Sequence, residues 1–166
     1  MVVVYVDTSV IIARYKPSDP LFSSANKLFQ MDYEFIISPI TLVELYSVLL
    51  RVKPFLEFRW EIRDVNVDTI IAFILHDSRL KIVERSFMSR LQILGKKLRI
   101  PLEYYLAVKL TEKLQLKTLD MLHIAYAYML RNAIDYIVTG DNDILRAKEK
   151  IKQYVGLEVK DPSELI

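Results

Sequence analysis

No cysteine occurs among the 166 residues. Disulfide frameworks, cysteine metal sites and thiol nucleophiles are therefore excluded, and a reducing, cytoplasmic setting is the expectation. Glycine is almost as scarce, limited to Gly95, Gly140 and Gly156. Neither G-x-G-x-x-G nor G-x-x-x-x-G-K-[ST] can be written from them, which removes the usual dinucleotide and P-loop phosphate cradles. His76 and His123 are the only histidines, too few for a histidine metal cluster. No apolar run approaches the ~20 residues of a membrane span. The apolar start has no basic leader and is interrupted by Asp7, so it does not read as a signal peptide.

What is present is a globular composition, 52% hydrophobic and 27% charged. Neither a repeat nor a low-complexity tract divides it, and one domain over residues 1–166 is expected. The net charge of +2 is unevenly spread. Eight Lys/Arg between Arg85 and Lys117 face only Glu103 and Glu112, so this tract carries +6 and the remainder −4. A basic segment on an acidic protein suits a polyanion partner, although charge runs are more often solvated helical faces.

Short apolar runs alternate with helical spacing. Val2–Val6 is a continuous β-branched and aromatic run, as in a strand buried on both faces. Further strands are expected at Phe35–Ser38, Leu80–Val83, Tyr136–Thr139 and Leu157–Val159. Helices are expected at Pro20–Met31, from Thr41 through Leu49, at Pro54–Arg63, Val67–Leu80, Phe87–Leu98, Leu102–Leu116, Leu119–Arg131 and Asp143–Tyr154. The alternation argues for an α/β fold, a parallel sheet with helices on both faces. In such sheets the working site lies outside the carboxyl ends of the strands. Asp7 and Asp141 both fall there.

Four acidic loci sit at element boundaries, and each has a structural explanation. Asp7 in "VDTS" can cap the following helix. Glu44 in "SPITLVEL" completes a capping box opened by Thr41. Asp120 in "KTLDMLHIAYAY" lies in a first helical turn, after Thr118 as cap, where the helix dipole favours it. Its neighbours Leu119, Met121 and Leu122 make an uncompensated carboxylate costly there. Asp141 and Asp143 in "VTGDNDIL" suit a turn or a cap. Together, four loci brought to one sheet edge would repel one another and raise their pKa values unless a cation compensated them. With no cysteine and no histidine cluster, an oxygen-liganded Mg²⁺ or Mn²⁺ fits better than zinc. An acidic metal pocket beside a basic tract suggests two-metal phosphodiester hydrolysis.

"VDTSVII" at Asp7, "TLVEL" at Glu44, "LDMLHIAYA" at Asp120 and "VTGDNDIL" at Asp141 together resemble the PIN domain, in order and in spacing, over nearly the whole chain. Within that family the likeness is to the VapC-type toxins of bacterial and archaeal toxin–antitoxin pairs. The resemblance implies a three-layer fold with strand order 3-2-1-4-5. It also implies a Mg²⁺- or Mn²⁺-dependent endoribonuclease leaving 5′-phosphate and 3′-hydroxyl ends. Asp7, Glu44, Asp120 and Asp141 correspond to its catalytic quartet. Asp7, Asp120 and Asp141 would ligate metal, with Asp143 and Glu44 as further candidates. Thr8, Ser9 and Thr139 match small hydroxyl positions near the metal. Such toxins usually form homodimers and are silenced by a cognate antitoxin. The extra length between Leu80 and Lys117 departs from the toxin pattern, and reads as a basic helical elaboration around residues 85–117.

Arg14, Lys16, Lys96, Lys97 and Arg99 are candidate RNA contacts, against a plain role in solubility. The tyrosines, among them Tyr104 and Tyr105, are more simply core or interface residues than base-stacking ones. A metal-free His76/His123 acid–base pair is set aside, since a helix histidine with ordinary hydrogen bonds is the commoner case. Two other readings stay open: a non-catalytic PIN-like module that binds RNA or protein, and a structure-specific DNA nuclease of the same fold.

Overall fold

β1 (Val3–Val6) is the middle strand of a five-stranded parallel sheet in a computed structural model that describes residues 1–53, 56–58 and 64–166. It pairs with β2 (Glu34–Ile37) on one side and β6 (Tyr136–Val138) on the other. β3 (Leu80–Ile82) and β7 (Glu158–Lys160) form the two edges. The order β3-β2-β1-β6-β7 is the expected 3-2-1-4-5 with two strands inserted between the third and fourth. Because side chains alternate across a strand, Val4 and Val6 enter one core and Tyr5 the other. Both faces of β1 are buried, which is why its sequence is an unbroken apolar run.

The first core packs α1 (Thr8–Ala13), α2 (Phe22–Leu28), α3 (Pro39–Val52) and α4 (Val67–Asp77) on one face of the sheet. The second packs α5 (Leu102–Leu114), α6 (Thr118–Met129), α7 (Asn142–Arg146) and α8 (Lys148–Val155) on the other. A short 3-10 helix over Pro162–Leu165 closes the chain.

Several expected boundaries move. α3 begins at Pro39, not Thr41: the Ser38 hydroxyl accepts from the Thr41 amide, and proline takes the first helical position, where its missing N–H costs nothing. The Thr41–Glu44 capping box therefore does not form. Lys117, not Thr118, holds the N-cap position of α6. α4 stops at Asp77, and the chain turns into β3 through Arg79 at φ 52°, held by its guanidinium on the Phe29 and Met31 carbonyls at 2.7 Å each. The expected helix over 143–154 is two helices that meet at Ala147. The helix expected at Pro54–Arg63 lies largely outside the described residues, and the described Leu56–Phe58 are not helical.

The largest correction concerns Phe87–Leu98. No helix forms there. Met88–Ile93 (β4) and Lys96–Pro101 (β5) pair antiparallel as a hairpin. Leu94 and Gly95, both at positive φ (46° and 80°), form its two-residue loop, the conformation that matches strand twist. Leu91, Ile93, Leu98 and Ile100 recur every second residue, the period of a strand. The basic tract is thus a hairpin followed by α5, not a helical elaboration.

Candidate active site

The chain leaves β1 at Asp7 and turns at once into α1. The buried Asp7 carboxylate caps that helix by accepting from the Thr8 amide at 2.8 Å. Its other oxygen accepts from the Ser9 hydroxyl at 2.6 Å and the Thr139 hydroxyl at 2.7 Å. Thr139 follows β6, which pairs directly with β1. The parallel register therefore brings both strand ends to one edge. Gly140 comes next, where a Cβ would meet the tip of the Leu21 side chain at 2.1 Å, so a larger residue fits only if Leu21 moves aside. Thr8, Ser9 and Thr139, expected beside the site, are the groups that fix Asp7 and its surroundings.

Glu44 lies in the second turn of α3 because the helix starts earlier than expected. One of its oxygens, Oε2, accepts from the Thr8 hydroxyl and lies 2.7 Å from His123 Nε2. His123 Nδ1 sits 2.9 Å from the Tyr5 hydroxyl, which donates to Ser38 Oγ at 2.9 Å. A buried chain thus runs from the α3 cap through Tyr5 and His123 to Glu44. Burial pushes the Glu44 pKa up, but the His123 and Thr8 hydrogen bonds outweigh it and the net direction is down. For His123 burial pushes the pKa down, while its bond to Glu44 and the nearby Asp7, Glu44 and Asp120 charges carry it above the ordinary value. His123 makes ordinary hydrogen bonds, and they tie β1 and α3 together beside the cleft. Its spacing of three from Asp120 places both on one side of α6, and that spacing is what points to it in the sequence.

Asp120 stands in the first turn of α6. Burial first, then the Asp141 and Asp7 charges, push its pKa up to about 6. Its Oδ2 is buried with no hydrogen-bond partner. Asp141 caps α7, with Oδ1 accepting from the Asp143 amide at 2.6 Å. Asp143 faces cations instead: Lys117 Nζ at 2.6 Å and Arg146 at 3.6 Å, with Lys117 holding its pKa down.

Asp7, Glu44, Asp120 and Asp141 line one cleft of about 340 Å³, with Thr8, Ser9 and Gly140. Their ligand atoms fall into two sets, each with all members within 4.8 Å of one another: Asp7, Glu44 and His123, and Asp120, Asp141 and Asp143. The expected quartet is brought together, as two neighbouring sets and not as one. The candidate phosphate contact Arg14 is otherwise engaged, bridging Asp77 at 2.8 Å and bonding Ser78 at 3.2 Å with its side chain largely covered. Lys16 bridges Asp19, itself a cleft residue, at 3.7 Å. Lys96, Lys97 and Arg99 are exposed on β5 and do not line this cleft.

Comparisons with known proteins bear on the family and the fold. The model of the family described as "PIN domain" matches residues 4–150. No curated protein matches the chain. Among solved structures, it is similar to VapBC2 from Rickettsia felis, solved bound to a DNA fragment from their promoter. That likeness has 16% identity and a TM-score of 0.57, covering 96% of this chain and 98% of the other. It is also similar to VapBC-1 from nontypeable Haemophilus influenzae, at 15% identity and a TM-score of 0.57, over 97% and 98% of the two chains. At such identities the likeness establishes the fold. With the family match spanning most of the sequence, the chain belongs to the PIN domain family.

Proposed function

We propose that the chain is a divalent-metal-dependent endoribonuclease, the toxin of a VapBC-type pair, acting as one PIN-like unit that carries the hairpin. The observation that supports it most is the cleft itself. Four carboxylates from four elements meet there, and one of them, Asp120, has a buried oxygen without a partner and a raised pKa. Such a cluster is costly alone and suits a hard cation. The donors are all oxygen apart from His123, which fits Mg²⁺ or Mn²⁺.

Asp7, Asp120 and Asp141 would hold the metal, with Asp143 as a further ligand. A bound divalent cation supplies charge neutralisation at the scissile phosphate and activation of the attacking water. Glu44, clamped by Thr8 and His123, positions that water or binds a second ion. Ser9 and Thr139 keep Asp7 fixed. Lys117, beside Asp143, places positive charge at the rim of the cleft. Hydrolysis would leave a 5′-phosphate and a 3′-hydroxyl. A cognate antitoxin, a homodimeric state and a cytoplasmic location belong to the same reading. The likeness in fold to VapBC proteins supports the antitoxin. Among the described residues no helix is long and apolar enough to cross a membrane.

The test is cleavage of single-stranded RNA with Mn²⁺, with and without EDTA, beside an Asp7→Asn variant. Cleavage by the wild type with Mn²⁺ alone is expected. Equal behaviour of all three preparations would overturn the assignment and favour a non-catalytic module. Preference for DNA in a parallel arm would replace the ribonuclease by a DNA nuclease.

A further inference from the structure

We infer that the β4–β5 hairpin is an RNA-binding arm whose outward face takes backbone phosphates beyond the catalytic cleft. This deepens the nuclease reading and rests on it. Cross-strand partners share a face of a ribbon, so the register Ser89↔Ile100, Leu91↔Leu98 and Ile93↔Lys96 defines one side. On that side Ser89, Leu91 and Ile100 are partly covered where the hairpin packs on α5, while Ile93, Lys96 and Leu98 are exposed. The opposite side pairs Arg90 with Arg99 and Gln92 with Lys97, and all four are exposed.

Two arginines directly opposite on a ribbon repel one another, and an acid beside them would relieve the pair. None is at hand. No Asp or Glu occurs from Arg85 to Leu102. Among the described residues, Arg90, Lys96, Lys97 and Arg99 make no ion pair. Three cations therefore stand within about 7 Å of one another along the strand direction, uncompensated. A chain of phosphates is the occupant whose charge complements them.

The root of the hairpin places it at the active edge. It emerges after β3, at the carboxyl end of the parallel sheet, where Asp7 and Asp141 also lie. The Tyr126 hydroxyl donates to the Val83 carbonyl at 2.6 Å and accepts from the Arg85 amide at 2.9 Å. Tyr126 belongs to α6, the helix of Asp120 and His123. The Leu102 amide closes the base on the Phe87 carbonyl at 2.8 Å. An RNA strand held by the hairpin is thus referenced to the helix that carries part of the acidic site.

The test is fluorescence anisotropy of a labelled single-stranded RNA with the full chain in EDTA, across about 50–200 mM salt. The triple variant Arg90→Gln, Lys97→Gln, Arg99→Gln should lose roughly 10- to 100-fold in affinity at about 0.1 M salt, and its log–log salt slope should fall by about 2. The charge-retaining Arg90→Lys, Arg99→Lys variant should keep most of both. Unchanged affinity and slope in the triple variant would overturn the arm. So would tighter binding of duplex DNA than of RNA, or a change in self-association without a change in RNA affinity. The two readings fail separately. Without a nuclease, the wild type shows no Mn²⁺-dependent cleavage whatever the anisotropy. Without an arm, cleavage persists and the slope does not move.

Discussion

The two halves of the acidic cleft are built differently. On the β1 side, Asp7 accepts three hydrogen bonds, and Glu44 is held between Thr8 and His123. On the α6 side, Asp120 keeps a buried oxygen without a partner and is pushed towards neutrality, with Asp141 and Asp7 contributing. One half is satisfied by the protein. In the other, Asp141 caps α7 and Asp143 pairs with Lys117, but Asp120 is left frustrated, and in the proposed enzyme a cation would relieve it. In that reading the first half holds Asp7 and Glu44 in a fixed geometry for the cation, while Asp120 in the second gains most from its binding.

The contrast can be broken at Asp7. Asp7→Asn removes a charge and an acceptor together. We expect kcat to fall roughly 10²–10³-fold, with a stability loss of about 1–3 kcal/mol for the unsatisfied partners. Steady-state cleavage and a urea melt check the two effects. A fully active, stable Asp7→Asn would remove the distinction between the halves.

His123→Gln comes next. It strips Glu44 and Tyr5 of a buried partner, and activity should drop about 10- to 100-fold through misplacement of Glu44. The pH signs differ for the two partners. His123, raised above its ordinary 6.5, contributes stability that is complete below that pH and lost as pH rises through its folded value. Glu44, lowered from 4.5, contributes stability present above that pH and lost as pH falls through its folded value. The pair is therefore strongest between these limits. Melting temperatures of the wild type should decline above pH 6.5 relative to His123→Gln, and parallel curves would contradict the pairing.

Asp120→Asn should act in the opposite sense in metal-free buffer. An acid raised from 3.8 to about 6 weakens the fold progressively as pH rises between those values. Asp120 is only partly buried, so the effect is discounted to about 1 kcal/mol. That is about 2–4 °C in Tm. Asp120→Asn should melt higher than the wild type at pH 7 and about equally at pH 3.5, by calorimetry in EDTA.

The smallest change is expected from Lys117→Ala. Its contact with Asp143 is exposed and screened. Tm should not move, and a clear loss would mean that the rim is part of the fold.

The central strands were legible because burial on both faces forces an unbroken apolar run, as in Val3–Val6. The site acids were legible because parallel strands bring their carboxyl ends to one edge. The hairpin was not, since Leu91, Ile93 and Leu98 also tolerate a helical reading and only Gly95 marks the turn. Thr41 competes with Ser38 for the cap, and Pro39 decides between them. Arg14 reads as a free cation, because its partner Asp77 is far away in sequence. For His123 only the spacing from Asp120 is local: its partners Tyr5 and Glu44 lie on β1 and α3, and no sequence pattern joins them.

The central claim is that the under-satisfied half of the cleft is a cation site. The most direct measurement is the melting temperature with Mn²⁺ against EDTA, for the wild type and Asp120→Asn. Saturating Mn²⁺ should stabilise the wild type, by about 2.7 kcal/mol at a hundred-fold excess over Kd, and leave Asp120→Asn nearly unmoved. A wild type indifferent to Mn²⁺, or an equal shift in both proteins, would contradict it.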